Sequence, residues 1–132
     1  MQFTIQTSEG EYDISAHVRL IGEDLLVAIW GGNKPHIGAV AAAESRPSSK
    51  DPEKKSASAS VFCYLMHKED EIAKSAAKRL SAAFDTKVVV TAGIHWDNLS
   101  EESIRKINRN CEILITAVQE TIQSQFGLHL HT

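Results

Sequence analysis

The fold of this chain is decided by one stretch, Gly31-Gly32-Asn33-Lys34-Pro35-His36-Ile37-Gly38-Ala39-Val40. An apolar run from Leu25 to Trp30 leads into it, and a second apolar run from Ile37 to Ala43 leads out of it. Two strands are therefore predicted, joined by a short segment that contains glycine, asparagine and proline. Glycine and asparagine tolerate the positive φ angles that such a connection requires.

The connecting segment supports two interpretations. In the first, it is an ordinary β-hairpin connection. In the second, the N–H groups of Gly31 to Lys34 point outward and hold an anion such as a phosphate. The segment is not a P-loop, because the Gly-Lys-Ser/Thr ending is missing, and it is not a dinucleotide fingerprint, because no helix follows.

The composition favours a single domain that spans residues 1–132. A net charge of −3, from 14 basic and 17 acidic residues, gives no electrostatic basis for nucleic acid or an anionic membrane as a main partner. No apolar run is long enough to cross a bilayer, and the N-terminus lacks the pattern of a signal peptide. Cys63 and Cys111 lack CxxC spacing and are predicted to be small buried residues. These features together predict a cytoplasmic protein.

Alternating or apolar runs predict the strands, which include Gln2 to Gln6, Tyr12 to Leu20, Ala59 to Leu65 and Lys87 to Ala92. One amphipathic helix opens at His67 to Glu71, and a second runs from about Ser100 to Gln125. Proline, serine and lysine at Glu44 to Ser58 predict a flexible loop.

The predicted fold class is α+β: one mostly antiparallel, five- to six-stranded sheet with two helices packed on it. The last strand is expected to lie parallel to a neighbour, with the first helix as the crossover. A small sheet that is covered on one face predicts a homodimer, in which the other apolar face is hidden on a partner.

Three histidines lie at predicted strand ends or helix starts, namely His36, His67 and His95. They support three functional interpretations. The first is an anion or nucleotide pocket, formed by the amides of Gly31 to Lys34 and the N-terminus of the first helix at His67 to Asp70, in which Lys68 supplies the counter-charge. The second is a metal site formed by the three histidines and Asp97. The third is acid–base catalysis by His95 with Asp97 as its partner. In the alternative without a site, the histidines are caps or surface residues and the run from Lys68 to Glu71 is a solvated helix turn.

Three motifs, at Gly31 to Val40, His67 to Asp70 and Ala92 to Asp97, occur in the order that is typical of one family. In these motifs the chain, over roughly Asp13 to Leu114, resembles the prenylated-flavin chaperone-like family, whose named member is the small D subunit of gallate decarboxylase. The resemblance implies the fold of the proteasome assembly chaperones. It also implies an accessory role, in which the protein binds or delivers prenylated FMN for a decarboxylase of hydroxylated aromatic acids.

The resemblance implies a set of cofactor-binding positions, which are Gly31, Gly32, Pro35, His36, Gly38, His67, Lys68, His95 and Asp97. Glu69, Asp70 and Gly93 match the family's motifs as well. The leading hypothesis is therefore a non-catalytic chaperone or accessory subunit that binds prenylated FMN or FMN. Two alternatives stay open: a protein-assembly module that acts through its surface, and a small metal-dependent enzyme that uses the three histidines.

Overall fold

The computed structural model describes residues 1–65 and 69–126, which form six strands and two helices. In chain order these elements are β1 Gln2–Gln6, β2 Ile14–Ile21, β3 Asp24–Gly32, β4 Ala39–Pro47, β5 Lys55–Cys63, α1 Asp70–Phe84, β6 Val88–His95 and α2 Glu101–Phe126.

All six strands belong to one sheet with the order β1-β2-β3-β6-β4-β5. The pairings β1–β2, β2–β3, β4–β5 and β4–β6 are antiparallel, whereas β3 and β6 are parallel. The predicted α+β class, with two helices on a single sheet, is thereby confirmed. The sheet is mixed because its last strand in sequence inserts at the centre and runs parallel to β3.

Both helices pack on the same face of the sheet. Helix α1 contacts β4, β5 and β6, while α2 contacts β1 and β2. Alanine side chains at Ala73, Ala76 and Ala77 have no exposed surface, so α1 approaches the sheet closely, as its small-residue stripe predicts. In the described part of the chain, no helix combines the length and the apolarity that a membrane span requires.

The connection between β3 and β4 crosses over the end of β6. On one side of β6, the Asn33 N–H donates to the His95 carbonyl at 3.0 Å; on the other, the Gly38 N–H donates to the Ala92 carbonyl at 2.9 Å. Strands β3 and β4 are therefore not neighbours, and the β-hairpin interpretation of this segment is wrong. A tight turn cannot bridge two strands that have a third strand between them.

Gly93 lies directly beneath the crossing segment. A Cβ atom at this position would lie 1.5 Å from the His36 carbonyl oxygen and 2.3 Å from the carbonyl carbon. No heavy atom can occupy that space, so the crossing requires a residue without a side chain near the end of β6.

The flexible loop predicted at Glu44 to Ser58 is too long. Strand β4 continues to Pro47 and β5 begins at Lys55, so residues 44–47 and 55–58 are paired strand residues. Their polar side chains are typical of a loop, but β5 is an edge strand, and edge strands tolerate serine and lysine. The remaining connection is a hydrogen-bonded turn, in which the Ser48 N–H donates to the Lys54 carbonyl at 2.8 Å.

One boundary differs from the predictions, one lies outside the described residues, and the cap of the second helix is now assigned. Strand β4 begins at Ala39 rather than Ile37, because the preceding residues belong to the crossing. The predicted helix opening at His67 and Lys68 lies outside the described residues, and α1 begins at Asp70. At the second helix, the Ser103 N–H donates to Ser100 Oγ at 3.1 Å, so Ser100 is the cap.

We predict that Gly93→Ala lowers the free energy of unfolding by about 3 kcal/mol or more, because the new methyl group meets backbone atoms that cannot move aside. Urea unfolding followed by circular dichroism measures the effect. Gly22→Asn is the control: φ is +61° there and nothing lies within 4 Å of an added Cβ, so a loss within about 1 kcal/mol is expected. Equal stability of Gly93→Ala and the native chain would contradict the crossing.

Candidate functional site

Glu69 stands immediately before α1 and turns its side chain away from the helix. Its backbone carbonyl accepts the first helical hydrogen bond, from the Ala73 N–H at 3.0 Å, while its carboxylate makes no capping bond. The residue is only 7% exposed, although it belongs to a run of charged residues. The interpretation of Lys68 to Glu71 as a wholly solvated turn is therefore wrong for this residue.

The Glu69 carboxylate contacts the imidazole of His36. Glu69 Oε1 lies 2.9 Å from His36 Nε2, and the opposite ring nitrogen, Nδ1, donates to the Lys34 carbonyl at 2.9 Å. A carbonyl can only accept, so Nδ1 carries a proton. The two side chains therefore form a close, largely buried polar contact at the edge of the sheet.

Two further contacts tie Glu69 to the other motifs. Pairing of β4 with β6 ends at Ala39 and Ala92, and beyond that point the Ile94 N–H donates to Glu69 Oε1 at 3.3 Å. Gly38 makes room for the carboxylate, since a Cβ there would lie 2.3 Å from Glu69 Oε2. The three sequence motifs therefore meet at one buried carboxyl group.

A second polar cluster lies where β3 and β6 end. Asp97 Oδ1 lies 3.0 Å from His95 Nε2 and 3.8 Å from Lys34 Nζ, and the Asn33 side chain donates to Oδ2 at 3.4 Å. The hydrogen bond from His95, followed by the charge of Lys34, lowers the pKa of Asp97 below its ordinary value. The side chains of Lys34, His95 and Asp97 are all well exposed, so the cluster faces solvent.

Gly31 and Gly32 are strand residues rather than an outward row of amides. Gly32 is paired with His95 across the parallel β3–β6 ladder, and its φ of +95° turns the chain into the crossing. A Cβ at Gly31 would lie 3.3 Å from Trp96 Cη2, so the lack of a side chain at Gly31 leaves room for the indole ring. The amide of Asn33 is already bonded to His95, and Pro35 lies within the crossing. The structure thus gives these glycines a conformational and packing role.

The structure brings most of the predicted site residues to one edge of the sheet, where β3 and β6 end: Gly31, Gly32, Pro35, His36, Gly38, His95 and Asp97. His67 and Lys68 lie outside the described residues.

Across residues 1–65 and 69–126, no three His, Cys, Asp or Glu side chains are grouped as a metal ion would require. Burial raises the pKa of Cys111 to about 12, so its thiol is unreactive.

The sequence analysis gave Glu69 and Gly93 no place among the proposed binding residues. Gly93 carried a usable signal, because glycine inside an apolar strand indicates close approach of another backbone. Glu69 carried only its match to the second family motif, since by composition it is one of three consecutive acidic residues at a helix start. Only the structure shows that Glu69 is buried while the acidic residues after it are more exposed.

The whole sheet-and-helix arrangement has a counterpart among solved structures. The crystal structure of a chaperone complex for yeast 20S proteasome assembly matches with a TM-score of 0.50 at 14% identity. The match covers 90% of this chain and 94% of that one. The fold is therefore that of a proteasome assembly chaperone, as the resemblance implied.

Sequence comparison defines the family more closely. The model of the prenylated flavin chaperone LpdD-like domain matches residues 8–123. Protein LpdD of Lactiplantibacillus plantarum is 31% identical over 101 residues, which cover 76% of this chain and 71% of that protein. The chain therefore belongs to the prenylated flavin chaperone LpdD-like family.

We predict that His36 and Glu69 are energetically coupled. Each alanine substitution removes one partner of a largely buried pair, so a double-mutant cycle in urea is expected to give a coupling of about 1–3 kcal/mol. The exposed pair Lys106 and Glu11, with 3.0 Å between Nζ and Oε2, is the control and should show a coupling near zero. Additive effects of the two substitutions at His36 and Glu69 would refute the coupling.

Proposed function

We propose that this protein is an accessory chaperone that binds a flavin nucleotide, prenylated FMN or FMN, for a decarboxylase of hydroxylated aromatic acids. The observation that carries the proposal is the family match over residues 8–123, whose description names a prenylated flavin chaperone. The convergence of the three motifs at one sheet edge supports it, because residues that are far apart in sequence form one polar surface there.

The donor set at this edge fits the phosphate of a nucleotide. Asn33, Lys34 and His95 all direct polar nitrogen atoms at the carboxylate of Asp97, and a phosphate can compete for the same three groups. Asp97 also repels an anion, so we expect reversible binding of the kind that a carrier needs. The bound flavin would supply the decarboxylase with its cofactor chemistry, and no catalytic role is assigned to this chain.

We expect FMN and prenylated FMN to bind with saturable quenching of flavin fluorescence or a rise in Tm. Lys34→Ala should weaken FMN about three- to fivefold, as expected for an exposed charge, and leave riboflavin, which lacks the phosphate, unchanged. Asp97→Asn should tighten FMN, because it removes the competing negative charge. Lys106→Ala, in the second turn of α2 where the lysine contacts Glu11, is the control for loss of one lysine.

Absence of saturable binding by either nucleotide would contradict the proposal. Equal weakening of FMN and riboflavin by Lys34→Ala would contradict the phosphate assignment.

Self-association is a second proposal, and it concerns the face of the sheet that carries no helix. Leu26, Phe62 and Tyr64 are 40%, 60% and 51% exposed, and the two aromatic rings form an edge-to-face pair with centroids 4.9 Å apart. A cavity of about 380 Å³ lies beside small residues of β4 and β5, including Ala42 and Ser60. Exposed aromatic groups beside a shallow cavity are typical of interaction surfaces. We propose that this face forms a homodimer.

Sedimentation equilibrium tests the homodimer. The native chain is expected to be a dimer at micromolar concentration, and Leu26→Glu and Phe62→Glu are expected to be monomers, because a buried unpaired carboxylate opposes association. Ile104→Glu, at a residue of α2 that is 46% exposed, is the control and should remain a dimer. A monomeric native chain would contradict the proposal.

The cellular location is proposed on the cysteines. The chain has two cysteines, Cys63 and Cys111, without CxxC spacing, and Cys111 is buried like a small apolar residue, which is typical of proteins from a reducing compartment. We therefore propose that the chaperone acts in the cytoplasm.

A further inference from the structure

A cleft of about 240 Å³ opens where the starts of both helices meet the end of β6. Six apolar side chains and one carboxyl group line it: Ile72, Ile94, Trp96, Leu99, Ile104, Ile107 and Glu69. Three of these residues, Glu69, Ile94 and Trp96, belong to the sequence motifs that define the site. The cleft is therefore continuous with that site, yet it lies on the face of the sheet that carries the helices.

The rim of the cleft is apolar and open to solvent. Leu99 is 38% exposed and Ile104 is 46% exposed, whereas Ile107 behind them is 6% exposed. Large aliphatic side chains that border a concave surface while staying exposed are typical of binding sites. The indole of Trp96 is held in place from behind by Tyr12, with ring centroids 5.2 Å apart and an interplanar angle of 85°. The aromatic wall is thus preorganised.

The volume of the cleft limits its occupant to about one ring. An apolar cavity of roughly 150 Å³ suffices to bind benzene, whereas pockets for drug-sized molecules begin at about 300 Å³. At about 240 Å³, this cleft accommodates one substituted ring or the ring-shaped end of a larger molecule.

The lining also selects against charge. An anion that entered would lose its hydration among aliphatic side chains, and the one carboxyl group on the wall, which is 7% exposed, already contacts His36 and the Ile94 N–H. We propose that this cleft binds an uncharged aromatic ring, stacked against or beside Trp96. The inference does not rest on flavin binding, since the ring needs neither a flavin nor a phosphate.

Quenching of Trp96 by nitrobenzene, with 4-nitrobenzoate as its anionic analogue, tests the site. The experiment uses Trp30→Phe, because the chain has two tryptophans and this variant leaves Trp96 as the sole emitter. Nitrobenzene should quench with saturation and bind at least about tenfold more tightly than 4-nitrobenzoate. Adding Ile104→Glu or Ile104→Gln at the rim should abolish saturation. Val61→Glu, at a residue of β5 that is 39% exposed, should leave it unchanged.

Two results would overturn the inference. One is quenching that rises linearly with nitrobenzene, as simple collisions produce. The other is saturable quenching that Ile104→Glu and Ile104→Gln leave unchanged, since the ring would then bind elsewhere. Neither result would decide whether FMN binds, because nitrobenzene has no phosphate and does not probe the Asp97 cluster.

Discussion

The whole structure depends on one place where a backbone segment passes over another, near the end of β6. The segment that joins β3 to β4 crosses β6 at Gly93, where even a methyl group would collide with the His36 carbonyl. Because β6 is thereby held between β3 and β4, the ends of β3 and β6 and the start of β4 converge at one edge of the sheet. The position of every proposed binding residue in the first and third motifs follows from that crossing.

Glu69 completes the edge that the crossing creates. Beyond Ala92, strand β6 has no further pairing with β4, and the carboxylate accepts the Ile94 N–H while it contacts His36. A carboxyl group that is buried in this way is stable only because partners surround it. The second motif, which appears in sequence as a charged helix start, is thus the link between the other two.

The sequence predicted those features that depend on local patterns. Both helices, the buried run of β3 and the alanine-lined face of α1 follow from periodicity and composition. The order of the strands did not follow, because nothing in the Gly31 to Gly38 segment distinguishes a hairpin from a crossing until β6 is placed between its ends. The polar residues of β5 likewise predicted a loop, because this edge strand is stabilised by backbone pairing with β4 rather than by apolar side chains. Glu69 was hidden by the acidic residues beside it.

Amide hydrogen exchange at Ile94 tests the central claim most directly. If the Glu69 carboxylate replaces the missing strand partner, the Ile94 amide of Glu69→Ala will exchange about tenfold faster or more, while the amide of Val90, deeper in β6, keeps its native rate. Glu69→Gln, which retains an acceptor oxygen, will show a smaller change at Ile94. An Ile94 amide that exchanges at the same rate in Glu69→Ala as in the native chain would contradict the account.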